Sequence, residues 1–491
     1  MSFARRVISG TVQLTVSNGV VRLLSLFTMP ILTGLLDPKA YGVANLVGSL
    51  ISLISVFALA GIDVSYARAY HSIQPPNGIV VENYCWRYAI TAGMIFAISA
   101  ASAWCFFSLF SNELDGWLAI FLAIGIVLSV GQTMTQVRAR LNGNYRAMSV
   151  ALIANGITSA AVSISIAFWW RQDAVTLLFS MLLSYIVPIL LLGVPSIGGL
   201  LKPSGLIRHE GLMLIRIGLP AIVTAPMYWL LSSSDRWFLQ YYHGAEAVGV
   251  YSVSYSIAII GMMFNNAIMS VWLPEASREY EQDPLRAQIT LGRLMSRLVA
   301  AMALVWLIIT ATGGDIVRWL ANVRFHAAAD YVPFIAGGVF FYGASQLALS
   351  GLILVRRFKL AALWWFMGGI VCIFLNLALI PKYGGAAAAI IQCASFAFIS
   401  IAILITSQYK FHMQLDWGRL LVVILIILAV GFAIAPQWHQ LALFSLLMKL
   451  PMGLTLLIFI AWFMAPDWCF KLAKFPQKFF ISGYSKNSVR K

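Results

Sequence analysis

The chain has 491 residues, of which 61% are hydrophobic and only 10% charged, with 33 Lys+Arg against 17 Asp+Glu and a formal net charge of +16. So much apolar sequence carrying so little charge excludes an ordinary soluble enzyme and a disordered chain. The excess of bases does not point to nucleic acid, because the bases are scattered over short connections and not gathered into a patch or stripe.

Apolar stretches of about 20 residues are long enough to cross ~30 Å of hydrocarbon as helices. About fourteen follow one another, near residues 10–36, 41–66, 85–110, 117–138, 147–169, 174–199, 215–236, 247–272, 291–313, 330–355, 360–380, 384–407, 418–436 and 441–465. Met1 to Ser9, with Arg5 and Arg6, resembles the start of a signal sequence. No small-residue cleavage site follows, so the first helix is expected to be retained. With the N-terminus in the cytoplasm, about 25 of the 33 Lys+Arg fall in inner segments and about six outside, while the acids split evenly. The bias predicts an all-α polytopic protein of the bacterial inner membrane with both termini cytoplasmic. Its basic face should favour anionic lipid in the bilayer it occupies.

The segment Leu201–Gly211 reads as a seam. Pro203 and Gly205 break the preceding helix, and Lys202, Arg208, His209 and Glu210 are interfacial. On either side lies a short internal repeat. Asp37-Pro-Lys-Ala-Tyr-Gly-Val leads into the second helix and Gly244-Ala-Glu-Ala-Val-Gly-Val into the eighth, pairing Ala40 with Ala247, Gly42 with Gly249 and Val43 with Val250. Equivalent places six helices apart predict two pseudo-symmetric six-helix lobes with a path between them. The expected division is an N-terminal lobe over 1–200, a linker over 201–214, a C-terminal lobe over 215–407, two extra helices over 408–466 and a basic tail over 467–491. In that tail Lys471, Lys474, Phe475, Lys478, Phe479 and Phe480 mix bases with aromatics, as an interfacial segment would.

Four stretches carry a family resemblance. The run LLSLFTMPILTGLLDPKAYGVANLVGSLISL joins the first two helices, and Gly61-Ile-Asp63-Val-Ser-Tyr-Ala-Arg68 ends the second. Ser234-Asp235-Arg236-Trp with Gly249-Val-Tyr251-Ser marks the junction of helices 7 and 8. Asn376-Leu-Ala-Leu-Ile-Pro381-Lys-Tyr383-Gly384-Gly385-Ala-Ala marks that of helices 11 and 12, a residue or two shorter than usual for the family. In this order they resemble Wzx-type oligosaccharide flippases. These form the polysaccharide transporter branch of the multidrug/oligosaccharidyl-lipid/polysaccharide exporter superfamily. The resemblance implies movement of an undecaprenyl-pyrophosphate-linked glycan from the cytoplasmic to the periplasmic leaflet by alternating access, for O-antigen, capsule or exopolysaccharide. A polysaccharide polymerase and chain-length proteins are the implied partners.

A pyrophosphate crossing hydrocarbon needs a wet, cationic path, and arginine pairs bidentately with phosphate without losing its charge. Ionisable groups deep in membrane helices are costly and are therefore candidates. Arg22, with Asn18 one turn below it, is the first substrate-binding candidate. Arg68, Arg216, Arg293 and Arg297 are further cations on the inner side, and Asn265 and Asn266 are mid-helix amides suited to sugar hydroxyls or to helix packing. Asp63 reads as the only acid clear of the loops, a candidate for ion coupling or for a salt bridge with Arg68. Asp235 and Arg236 read as an outer gating pair. Lys449 is expected to snorkel outward, and Arg138, Arg140 and Arg146 to anchor topology.

Nothing suggests catalysis or a cofactor. There is no phosphate-binding Gly-rich loop, no HExxH and no nucleophile elbow, and Cys85, Cys105, Cys372, Cys393 and Cys469 lack metal-ligand spacing. Two other readings stay open: a cation-coupled drug or small-molecule antiporter of the same superfamily, and a non-transporting membrane component of polysaccharide assembly. A carboxylate-rich interior would favour the antiporter. The lack of a long outer loop argues against a polymerase.

Overall fold

The computed structural model describes residues 3–70, 78–108, 115–196 and 208–434, and beyond these 436, 438, 441–449, 451–452 and 455. The seam residues 201–207 and the basic tail lie outside the described residues. Those described are helical throughout apart from short turns. In chain order the helices are α1 (Phe3–Leu35), α2 (Pro38–Leu59), α3 (Ile62–Ala69), α4 (Gly78–Ser108), α5 (Leu118–Leu141), α6 (Tyr145–Trp169) and α7 (Ala174–Leu192). There follow α8 (Arg208–Ala258), α9 (Gly261–Gln282), α10 (Pro284–Leu320), a short 3-10 helix (Val323–Asp330), α11 (Val332–Leu354), α12 (Phe358–Lys410) and α13 (Trp417–Ile434). Residues 442–449 are again helical.

Several helix starts are written in the sequence. Asp37 accepts from the Ala40 amide at 2.9 Å with Pro38 in the first turn, Asp173 accepts from Val175 at 3.0 Å, and Asp283 accepts from Leu285 and Arg286 ahead of Pro284. In each case a side chain satisfies amides that have no intrahelical partner.

Among the described residues, nine helices are long and apolar enough to cross a membrane. A tenth arises if the pair Pro226–Ala258 and Gly261–Gln282, bent by 45°, counts as one span. The sequence suggests more spans because α8 and α12 each join two helical arms, broken at Gly244 (φ 77°) and Gly384 (φ 54°), where only glycine takes the backbone cheaply. The two breaks adjoin: the His243 ring is 2.8 Å from the Ile380 carbonyl oxygen. Expected loops prove shorter than the pattern suggests. The expected outer connection from Gly314 is helical to Leu320, and the stretch from Glu275 is helical to Gln282 and resumes at Pro284.

The helices form two halves. In the first, α2 sits among α4, α5 and α7, and α6 links α7 to α1; in the second, α11 and α12 pack on each other and on α8, and α11 packs also on α9 and α10. The largest apolar cluster fills the second half and takes in Met29 of α1 and Leu46 of α2. The first half splits its core between an end around Val47, Leu122 and Leu178 and an end around Ala58, Trp86 and Met134.

The halves meet along α2 and α8 with no room for side chains. A Cβ placed on Gly42 would run into the carbonyl oxygen of Ala245, and one on Gly249 would run into that of Pro38. Pro38 precedes Gly42 by the same interval as Ala245 precedes Gly249, so the contact is reciprocal. The two copies of the internal repeat touch each other. Toward the other end, Gly61 and Gly218 approach backbone to backbone in the same way, and the Ser65 hydroxyl donates to the Leu214 carbonyl at 2.6 Å. Gly61 follows Ala60 in the left-handed region (φ 73° and 47°), which breaks the expected helix 41–66 into α2 and α3.

Candidate functional site

The polar side chains brought together between and within the halves centre on α8. The Arg236 guanidinium lies 4.4 Å from the centre of the Tyr255 ring, and its Nη1 donates to the Ser233 hydroxyl at 3.3 Å. Cation and ring face attract here away from water, so the contact is worth more than at a surface. The Nε of Arg236 is buried without a hydrogen-bond partner. Arg22 reaches this group from α1 and interacts electrostatically with Tyr228 and Tyr255. Tyr228 packs against Tyr342 with ring centres 5.0 Å apart, and Tyr342 against Phe396. Two guanidinium groups, one from each half, therefore share one aromatic-walled region.

Asp235 lies beside this region, deep in the second half. It is 3% exposed, accepts from the Arg236 amide at 2.8 Å and accepts a short hydrogen bond from the Tyr251 hydroxyl. Tyr251 is also 3.3 Å from Gln392 Oε1, and Asn376 donates to the Ser234 hydroxyl at 3.4 Å. Asn376 Oδ1 and the Ser395 hydroxyl are buried without partners. A carboxylate with orphaned neutral oxygens nearby is chemistry suited to a small cation or a proton. Such groups are kept in a membrane helix only where they are used or tightly paired.

The remaining candidates disperse. Asn18 and Asn266 are exposed on α1 and α9, Arg216 on α8, Arg68 on α3 and Arg293 on α10, while Arg297 is half-buried. Asn265 is buried and its amide donates to the Val339 carbonyl at 2.7 Å, a cross-helix bond that holds α9 to α11. Asp63 makes no ion pair with Arg68. Its electrostatic partner is Arg140.

Two expectations about charge are overturned, those for Asp63 and Lys449. Asp63 is not the only acid within the helices, because Glu82, Asp235 and Asp315 are all buried there. Arg138, read as a topology anchor, also has a partner: its Nε lies 2.6 Å from Glu82 Oε1 in an ion pair joining α4 and α5. Lys449 does not snorkel. It is fully buried, 2.6 Å from Asp315 Oδ2 and 3.2 Å from the Ala311 carbonyl, and Ser445 donates to the same carboxylate at 3.1 Å. The physical reason is pairing. Without a partner Lys449 would have to reach water, whereas Asp315, hidden in what looked like a loop, supplies the counter-charge. Asp235 and Arg236 likewise sit inside the packing and not at a helix end, because the first arm of α8 runs on to His243.

The comparisons with known proteins agree with this frame. Residues 7–280 match the family model described as "Polysaccharide biosynthesis protein". No curated protein matches the sequence. Among solved structures, the fold is similar to a lipid II flippase, MurJ, in an inward closed conformation. The TM-score is 0.70 at 11% identity, covering 93% of this chain and 100% of that one. It is also similar to an inward-facing multidrug resistance MATE family transporter of the MOP superfamily, with a TM-score of 0.57 at 14% identity, covering 80% of this chain and 94% of that one. A third likeness is to a mutant of the Vibrio cholerae MATE transporter VcmN, with a TM-score of 0.56 at 12% identity, covering 84% and 97%. At such identities the likeness concerns the fold.

Proposed function

This chain belongs to the polysaccharide biosynthesis protein family, and from that membership we propose that it flips undecaprenyl-pyrophosphate-linked oligosaccharide units from the cytoplasmic to the periplasmic leaflet of the bacterial inner membrane. It does so by alternating access and is driven by an ion gradient. A flippase needs no covalent chemistry, only a path that an anionic head and a polar glycan can follow while the lipid tail stays in the bilayer.

The observation that carries this reading is that Arg22 and Arg236, one from each half, both lie within electrostatic range of Tyr228 and Tyr255, with Arg236 stacked on the Tyr255 ring and Tyr342 packed on Tyr228. Two permanent cations can hold a pyrophosphate, and aromatic rings offer stacking surface to sugars. The lone buried Nε of Arg236 is a donor with no protein acceptor, as an anion-binding group requires. Asp235 serves as the coupling carboxylate, occupied by a cation or proton in one state and by its tyrosine partner alone in another. Arg68, Arg216, Arg293 and Arg297 add scattered positive charge on the cytoplasmic side, and Asn18 lies one turn from Arg22 on α1. The polymerase and chain-length proteins of the same polysaccharide system consume the product.

Deleting the gene in its host and analysing lipid-linked glycans tests the reading. Completed units trapped facing the cytoplasm, with loss of the surface polymer, are the expected result. In the complemented strain Arg22→Ala abolishes export and Arg22→Lys retains part of it. Equal activity of both with wild type removes Arg22 from the mechanism.

A second reading draws on Asp235 and its orphaned oxygens: a cation-coupled antiporter of small molecules on the same fold. Unchanged polysaccharide together with altered sensitivity to cationic drugs would favour it.

A further inference from the structure

A cleft of about 570 Å³ opens between α9 and α10 at the end that the charge pattern assigns to the cytoplasm. Its walls are mostly apolar, from Ile268, Val271, Leu291, Leu294 and Leu298. Its polar features are few and of one kind. Glu275 and Glu279 line it together with Trp272, which is 3% exposed and whose indole Nε1 is buried without a hydrogen-bond partner. Glu275 makes no ion pair among the described residues, and Glu279 reaches only an exposed Arg286 at 3.9 Å.

These features select an occupant. A phospholipid's hydrocarbon tail would fill the apolar walls, but its phosphate head would meet two carboxylates. An anionic lipid head group fails for the same electrostatic reason. A peptide with alternating bases and aromatics suits both the walls and the carboxylates. Its rings enter the apolar wall and its lysines meet Glu275 and Glu279.

The chain itself contains such a peptide, Lys471-Leu-Ala-Lys474-Phe475-Pro-Gln-Lys478-Phe479-Phe480, which lies outside the described residues. Its approach is set by what precedes it. Lys449 pairs with Asp315 and Ala311 of α10, the helix that forms one wall of the cleft. Helix 442–449 enters near Arg318 and Trp319, so it runs antiparallel to α10. From Ala311 back to Thr290 along α10 is about 31 Å at 1.5 Å per residue, and the 22 residues from Lys449 to Lys471 are enough chain to span it. The tether makes docking intramolecular, so even weak contacts are populated.

We propose that the cleft between α9 and α10 is the docking site of the chain's own C-terminal segment Lys471–Phe480, its aromatics against the apolar wall and its lysines against Glu275 and Glu279. The docked segment clasps α9, the outer limb of the bent pair, to α10. This does not depend on which substrate is moved.

Replacing Phe475 or Phe479 with a photo-crosslinking phenylalanine in the full-length protein in native membranes, followed by mass spectrometry, tests it. Crosslinks within one chain to residues of the cleft, between 267 and 298, are expected, and Glu275→Lys/Glu279→Lys should reduce them about fivefold or more at equal protein yield. Crosslinks confined to lipid, to another copy, or to other parts of the chain overturn the proposal, as does a yield of cleft crosslinks unaffected by charge reversal. A size-exclusion profile matching wild type excludes misfolding as the cause of a loss.

Discussion

The first and second halves of this protein bury charge by different means. In the first, Glu82 and Arg138 form a single ion pair between α4 and α5, with the arginine side chain still 28% exposed. In the second, Asp235 is tied to Tyr251 and, through it, to Gln392, and stands next to a guanidinium that rests on a tyrosine ring. Between the second half and the added helices, Asp315 and Lys449 form a pair with no exposure at all. A paired charge that keeps one edge open is a structural tie. A carboxylate held by a tyrosine hydroxyl and a backbone amide, with a guanidinium beside it but no ion pair formed and orphaned oxygens near, is not a closed tie and can take a mobile ion. On the proposed function, that difference assigns ion coupling to the second half.

Substitutions can break or sharpen the contrast. The largest effect is expected at the seam between the halves. Gly42→Ala and Gly249→Ala each drive a methyl group into a backbone carbonyl of the opposing half, and export should fall by at least about tenfold for either. Gly48→Ala, whose added carbon would meet only the Met181 sulfur at 3.5 Å, should leave export near wild type and serves as the control. Unequal losses for Gly42 and Gly249 would contradict a reciprocal contact.

Next in size is the sealed pair. Lys449→Met leaves the Asp315 carboxylate buried without its counter-charge and should cost ~3–5 kcal/mol of stability, whereas adding Asp315→Leu should recover most of it. Thermal unfolding in detergent reads both. If the single variant is as stable as wild type, Asp315 has found other solvation. Glu82→Gln should cost less, ~1.5–3 kcal/mol, because it keeps a hydrogen bond and Arg138 can still reach solvent. The smallest effect belongs to Asn265→Leu, which removes one cross-helix bond to Val339 and should cost ~0.6–1.7 kcal/mol with export otherwise intact. A complete loss of export at full stability would instead place Asn265 on the substrate path.

Much of the fold is legible in the sequence. Span lengths, the caps at Asp37, Asp173 and Asp283, and the repeat around Gly42 and Gly249 are local or periodic signals, and a helix expresses them wherever it sits. The candidate site is legible in part: Arg22, Asp235 and Arg236 can be picked out because ionisable groups in apolar sequence are conspicuous. Tyr228, Tyr255 and Tyr342 cannot, since an aromatic in an apolar helix looks the same whether it faces lipid, core or cavity. Glu82 and Asp315 read as loop residues because helix ends blur when polar residues continue the helix beyond its apolar stretch.

The sequence by itself determined the class of the molecule. Hydrocarbon thickness and backbone hydrogen bonding leave a chain this apolar one solution, a stack of long helices. Which charges neutralise one another was decided only by the tertiary structure. Arg138 finds Glu82 from 56 residues away and Lys449 finds Asp315, while Asp63, close to Arg68 in sequence, does not pair with it. Pairing depends on which helix faces turn toward each other, and that is fixed by close packing of the whole bundle, not by any segment of it.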